Sequence, residues 1–171
     1  MDNSLMPLRA RAMEFSHTGI TISDAQLPDN PIVDCNSAFE VITGYSRDEV
    51  LGKNCRFLQH DDVDESTLNQ IRSAIRQGKH LTVVIKNYRK DGIMFWNELS
   101  ISPVYGDDGR LSHYIGIQNN VTVRETARME LKNQNHELNE MYSELSNKSK
   151  QQRDIDSRIN ELLRQSHSHR S

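Results

Sequence analysis

Eight consecutive residues, Gly52-Lys53-Asn54-Cys55-Arg56-Phe57-Leu58-Gln59, bring together one thiol, two carboxamides of Asn54 and Gln59, a guanidinium and two apolar side chains. Cys55 stands between the carboxamide and the guanidinium, and the chain has one other cysteine, Cys35. Such a mixture of apolar surface with donors and acceptors suits an organic cofactor rather than a metal. An isolated cysteine is as readily a small buried hydrophobe as a reactive group. Its setting in the full run is what shifts Cys55 towards chemistry.

The elements that must position this run follow from pattern. Residues 4–16 carry Leu5, Leu8, Ala12, Met13 and Phe15 with amphipathic spacing, which predicts a short helix outside the core. Gly19–Ser23 and Pro31–Cys35 alternate as two strands around the turn residues Pro28-Asp29-Asn30-Pro31. Asn36 can cap a helix carrying Phe39, Val41 and Ile42, which Gly44 ends. Ser46 and Glu49 have capping-box spacing for a second short helix, and the cysteine run opens a third. Residues 64–76 form the fourth and longest, closed by Gly78. The period then changes to that of strands over 80–89, 93–104 and 111–121, joined by Lys90-Asp91-Gly92 and Gly106-Asp107-Asp108-Gly109 as hairpin-type turns.

From Val121 onwards there is no Gly or Pro, and a helix is expected to about residue 165. With Leu131 at an a position, the a and d series runs Leu131, Gln134, Leu138, Met141, Leu145, Lys148, Gln152, Ile155, Ile159 and Leu162. Seven of these ten are apolar, the pattern of a coiled coil rather than of a merely solvated helix. A parallel homodimer is the expected partner arrangement, although the heptads do not fix strand direction.

The cysteine run is similar to the GxNCRFLQ signature of the LOV domain, the flavin-binding blue-light branch of the PAS family, and every fixed letter is present. The resemblance covers roughly residues 16–122. It implies an α+β PAS/LOV fold, a five-stranded antiparallel sheet with helices on one face and the ligand cupped between them. The organisation that results is a helical cap over 1–15, a LOV domain over 16–122, a coiled-coil helix over 123–165 and a disordered tail over 166–171.

The resemblance also assigns roles. Phe57 and Leu58 would face the flavin ring, Asn54 and Gln59 its polar edge, and Arg56 the phosphate. Downstream, Arg72 matches the family's second phosphate arginine, Asn87 and Asn97 its ring-reading asparagines, and Gln118 the glutamine facing N5. No long insertion separates Gln59 from Arg72, which favours FMN over FAD. Between Arg56 and Arg72 there is no further Lys or Arg, and the stretch carries Asp61, Asp62, Asp64 and Glu65. Two arginines should hold a phosphate less rigidly than four, which predicts a short-lived adduct and ready loss of flavin.

In LOV proteins blue light excites the flavin, the thiol matching Cys55 adds to C4a, N5 gains a proton and the adduct reverts in the dark. A neutral thiol is expected before illumination, unlike the thiolate of a redox enzyme. Protonated N5 becomes a donor, and the Gln118 carboxamide can answer by rotating its oxygen towards it. Gln118 lies at the root of the C-terminal helix, a route from photon to dimer and on to an unknown downstream signalling protein. The alternative is a LOV input module cut from a larger signalling protein such as a histidine kinase. A flavin oxidoreductase would need a substrate pocket and an acid or base near N5, which the run does not offer. A ligand-free PAS dimerisation module is the remaining fallback.

Composition excludes other classes. The 171 residues carry a net charge of -3 with Lys and Arg spread along the chain, against nucleic acid as the primary partner. No apolar run approaches the roughly 20 residues needed to cross a bilayer, and the N-terminus lacks a signal-peptide core, so a cytoplasmic protein with free thiols is expected. His167 and His169 lack the further ligands of a structural metal site. Trp96 is expected to pack rather than to donate electrons, and no enzymatic activity is expected.

Overall fold

The computed structural model describes residues 6–168. Helix α1, Met6–Glu14, precedes strands β1, Gly19–Asp24, and β2, Ile32–Cys35. Helices α2, Ser37–Thr43, and α3, Arg47–Val50, the 3-10 helix Cys55–Leu58 and helix α4, Glu65–Gln77, follow. Strands β3, Leu81–Tyr88, β4, Met94–Tyr105, and β5, Leu111–Asn120, complete the domain before helix α5, Thr122–Ser168. All strand pairs are antiparallel, in the order β2-β1-β5-β4-β3. The first and last strands, β1 and β5, thus pair within the sheet, with Thr21 opposite Gly116 and Gly19 opposite Gln118.

Local signals account for the helical segment. Asn36 caps α2 by accepting from Phe39 N at 3.1 Å, and the same carboxamide accepts from Ile20 N and donates to Met13 O and Thr18 O. One buried side chain therefore ties β1, α2 and the end of α1 together. Gly44 and Gly78 end α2 and α4 in the left-handed region, at φ 76 and 59. Asp64 caps α4 by accepting from Thr67 N at 2.8 Å. Ser46 N donates to Glu49 Oε2 at 2.9 Å, so α3 begins as the sequence pattern predicts.

The apolar interior forms two groups. Ile32, Cys35, Phe39, Val50 and Leu58 pack together, with Cys55 and Phe57 against them. Val63, Ile71, Ile85, Ile101 and Tyr114 form the other. Complete burial of a side chain such as Phe39 or Leu58 contributes ~1.5–3 kcal/mol each. These groups fix the 3-10 helix and α4 relative to the sheet, and with them the residues that face the space between.

The chain divides into two compact units at Val123/Arg124. In the second, every described side chain from residue 126 to 160 is exposed, including Leu131, Leu138, Met141, Leu145, Ile155 and Ile159 of the heptad series. The Leu162 side chain lies outside the described residues. Residues 166–168, assigned to a disordered tail from sequence, are helical, and 169–171 lie outside the described residues. At the other end α1 stops at Glu14, so Phe15 falls beyond it and is 73% exposed, as Leu8 is at 60%. The amphipathic face expected there is not sunk into the core, and Leu5 lies outside the described residues. Among the described residues no helix is long and apolar enough to cross a membrane.

Candidate functional site

The 3-10 helix exists because Asn54 caps it, accepting from Arg56 N at 3.0 Å through Oδ1 while Nδ2 donates to Asp29 O. This short turn aims Cys55 into a cavity between the sheet and the helices. The free interior space of the cavity is about 90 Å³, and it opens to solvent at its mouth. Its apolar wall is Ile32, Ile71, Ile75, Leu99 and Ile101. Burial pushes the Cys55 thiol up to about 12, with a smaller contribution from neighbouring Cys35, so Cys55 is a neutral thiol at physiological pH. Burial likewise raises Cys35 to about 11, and both cysteines are free.

The polar wall comes from alternate positions of β3 and β4. Asn97 Nδ2 donates to Asn87 Oδ1 at 2.9 Å, and Asn87 Nδ2 donates to Lys86 O at 2.8 Å. Asn97 Oδ1 is buried with no partner among the described residues. On β5, Gln118 Nε2 donates to Thr21 Oγ1 at 3.2 Å, whereas its Oε1 is also buried and unpaired. Folded proteins seldom leave buried polar atoms unpaired. A ring with donors along its edge, resting on the apolar wall, would answer Asn97 Oδ1, which lines the cavity, whereas Gln118 Oε1 lies beside Gly19 outside the lining. The side chains present therefore fit the flavin that the sequence resemblance implies.

Of the ten residues given roles from sequence, Asn54, Cys55, Arg56, Gln59, Asn87 and Asn97 line this one cavity, whereas Leu58 is packed into the core with Phe57 against it and neither lines the cavity. Gln118 is buried beside Thr21, which lines it. Arg72 differs: it stands exposed on α4, where Nη1 donates to Glu65 Oε1 at 2.6 Å and to Asn69 Oδ1 at 3.1 Å, outside the lining. Arg56 reaches the lining but its Nη1 donates to both carboxylate oxygens of Asp29, at 2.6 and 2.7 Å. Exposed ion pairs of this kind are worth ~0–1 kcal/mol, so a phosphate making stronger charge-assisted bonds could exchange for them.

Thr21, Ser23, Tyr114 and Gly116 also line the cavity and were not singled out from sequence. The signal was available as strand alternation: Gly19, Thr21 and Ser23 share one face of β1, and Gly116 shares the face of Gln118. Among the described residues no group of three or more His, Cys, Asp or Glu could hold a metal ion. His167 and His169 fall outside the described side chains.

A five-stranded antiparallel sheet cupping a lined cavity against short helices defines a cofactor-binding sensory domain of the PAS type. The PAS domain family model matches residues 17–123. The chain is 46% identical over 121 residues to a blue-light photoreceptor of Listeria monocytogenes, covering 71% of this chain and 47% of that one. It is 45% identical over 132 residues to a blue-light-activated histidine kinase of Brucella canis, covering 77% of this chain and 27% of that one. The light-state structure of the blue-light photoreceptor aureochrome1 LOV superposes with a TM-score of 0.62 at 37% identity, covering 77% of this chain and 98% of that one. The chain belongs to the PAS family, in its LOV branch of blue-light-sensing domains. It spans less than half the length of either curated relative.

Proposed function

We propose that the chain is an FMN-binding blue-light photoreceptor that works by reversible addition of Cys55 to the flavin and signals through a homodimeric coiled coil. The observation that carries this is the buried Cys55 thiol in the same cavity as Asn97, whose buried Oδ1 has no partner among the described residues, with Gln118 held on the lining residue Thr21. Bound FMN supplies the absorption of blue light and an electrophilic carbon at C4a. Cys55 would supply the sulfur for that carbon and the proton for the neighbouring ring nitrogen, and would take both back in the dark. Asn87 and Asn97 hold the polar edge of the ring with Asn54 and Gln59, while Arg56 and Arg72 exchange their carboxylates for the phosphate. Gln118 would turn its carboxamide in answer to a cavity group that changed from acceptor to donor. Four residues further on α5 begins, and its exposed Leu131, Leu138, Met141 and Leu145 pair with a second copy. Two free thiols suit a reducing, cytoplasmic setting.

The test is the absorption spectrum of FMN-reconstituted protein before and after a blue flash, beside Cys55→Ala. The visible flavin bands of the wild type should bleach to a single near-ultraviolet band and recover in minutes or less, and those of Cys55→Ala should not. Bound flavin that bleaches in neither would remove the photoreceptor function. In sedimentation, Leu138→Asp with Leu145→Asp should convert a dimer to a monomer.

A second function, that of input module to a larger signalling protein, is favoured by one observation: the chain covers 27% of the Brucella histidine kinase it resembles. The two differ in the length of the natural gene product, and α5 would then be the connector to an effector and the downstream partner part of the same polypeptide.

A further inference from the structure

The Gln118 side chain lies in a pocket of unusual make-up. It is 1% exposed, and its carboxamide sits between two glycines on neighbouring strands. A Cβ at Gly116 would stand 2.9 Å from Gln118 Nε2 and 2.6 Å from Thr21 Oγ1, and one at Gly19 would stand 3.4 Å from Gln118 Oε1. The absence of both side chains leaves room for the carboxamide to turn. Its only hydrogen-bond partner among the described residues is the hydroxyl of Thr21, itself 4% exposed and pointing at Gly116 O, 3.5 Å away.

We propose that Thr21 is a positioning residue for the Gln118 carboxamide, its hydroxyl accepting from Nε2 in the resting protein and donating to Oε1 once the carboxamide has turned over. The proposal rests on the photoreceptor function above, and its first half stands without it. A hydroxyl has one donor and two acceptor sites. In the resting arrangement its proton points to Gly116 O, a contact at the long limit for a hydrogen bond, and a lone pair receives one Nε2 hydrogen. The second Nε2 hydrogen is left for an acceptor in the cavity. After turnover the hydroxyl proton moves from Gly116 O to Oε1, giving up only that long contact. Oε1 has a second lone pair for a donor in the cavity. The far position of the carboxamide, beside Gly19, lacks a partner in both arrangements, so it does not bias the turn.

A residue in this place without a hydroxyl would leave the facing group, Nε2 before the turn and Oε1 after it, without this hydrogen bond in both arrangements. Thr21 thus serves both orientations, and a change in the cavity group from acceptor to donor chooses between them. Val is the near-isosteric replacement without the hydroxyl, and Ser keeps the hydroxyl with less bulk.

The full chain with glutamine nitrogen labelled is compared by NMR, flavin-free and FMN-reconstituted in the dark, as wild type, Thr21→Val and Thr21→Ser. Gln118→Leu identifies the side-chain signal. Thr21→Val should shift the Gln118 side-chain resonances and speed exchange of their hydrogens with water about five-fold, what loss of one ordinary hydrogen bond gives, and Thr21→Ser should restore both. After a flash, difference infrared spectra should show the Gln118 carbonyl band moving to lower frequency in the wild type and Thr21→Ser, and by less in Thr21→Val even though its visible bands bleach. Unchanged Gln118 resonances in Thr21→Val would overturn the contact. An identical carbonyl shift in Thr21→Val would overturn the turnover role. A wild type that never bleaches would remove the turnover together with the photoreceptor function, while the dark NMR comparison would still decide the resting contact.

Discussion

The two ends of the cavity are built differently. At the ring-reading end, Asn87, Asn97 and Gln118 are buried to within 3% exposure and held by hydrogen bonds across β3, β4, β5 and β1. Towards the helices, Arg56 at the lining and Arg72 outside it are more than half exposed, and each is already paired with a carboxylate. One end is set before a ligand arrives, and Asn97 Oδ1, unpaired among the described residues, calls for a donor there. The other must first break Arg56–Asp29 and Arg72–Glu65. Under the proposed function, selectivity for the ring would therefore belong to the sheet, and the phosphate would be the part held less firmly.

The contrast can be broken most readily at the ring end. Asn97→Ala removes the donor to Asn87 Oδ1 and the unpaired acceptor together, so FMN affinity measured by fluorescence titration should fall about ten- to a hundred-fold, as for a buried hydrogen-bond group worth ~1–3 kcal/mol. Arg56→Ala and Arg72→Ala should each cost only about five-fold for FMN and nothing for riboflavin, because an exposed pair has to be given up before the phosphate is gained. An arginine variant as damaging as Asn97→Ala would erase the distinction. Glu65→Gln frees Arg72 and should tighten FMN by about two-fold, the scale of an exposed ion pair.

The smallest effect expected is none at all. The Cys55 thiol is raised to about 12, so it stays protonated as pH climbs from about 6 to about 9. Its protonated form is fully populated below the raised value and is lost only as pH nears it. The yield of bleached protein per flash should be flat across that range, and a yield rising near the ordinary thiol range would mean that Cys55 reacts as a thiolate.

Much of this was legible in the chain because it is written in neighbours. Gly52–Gln59 carries the thiol and its cap within eight positions, and Asn36, Gly44, Asp64 and Gly78 mark helix ends by residue type alone. What was not legible depends on distant partners. Asp29 meets Arg56 across 27 positions, from a turn whose Asp29 and Asn30 adopt left-handed backbone that neither residue type requires. Thr21 meets Gln118 across 97, which only the pairing of β1 with β5 brings about. Arg72 was placed at the phosphate by resemblance, and its exposure on α4 follows from the helical phase that buries Ile71.

The central claim is that the Cys55 sulfur–hydrogen bond is consumed by light. Infrared difference spectroscopy of FMN-reconstituted Cys35→Ala, in which Cys55 is the sole thiol, reads that bond directly. A blue flash should remove the S–H stretching band in step with the visible bleach, and both should return together in the dark. A bleach that leaves the S–H band in place would contradict the account.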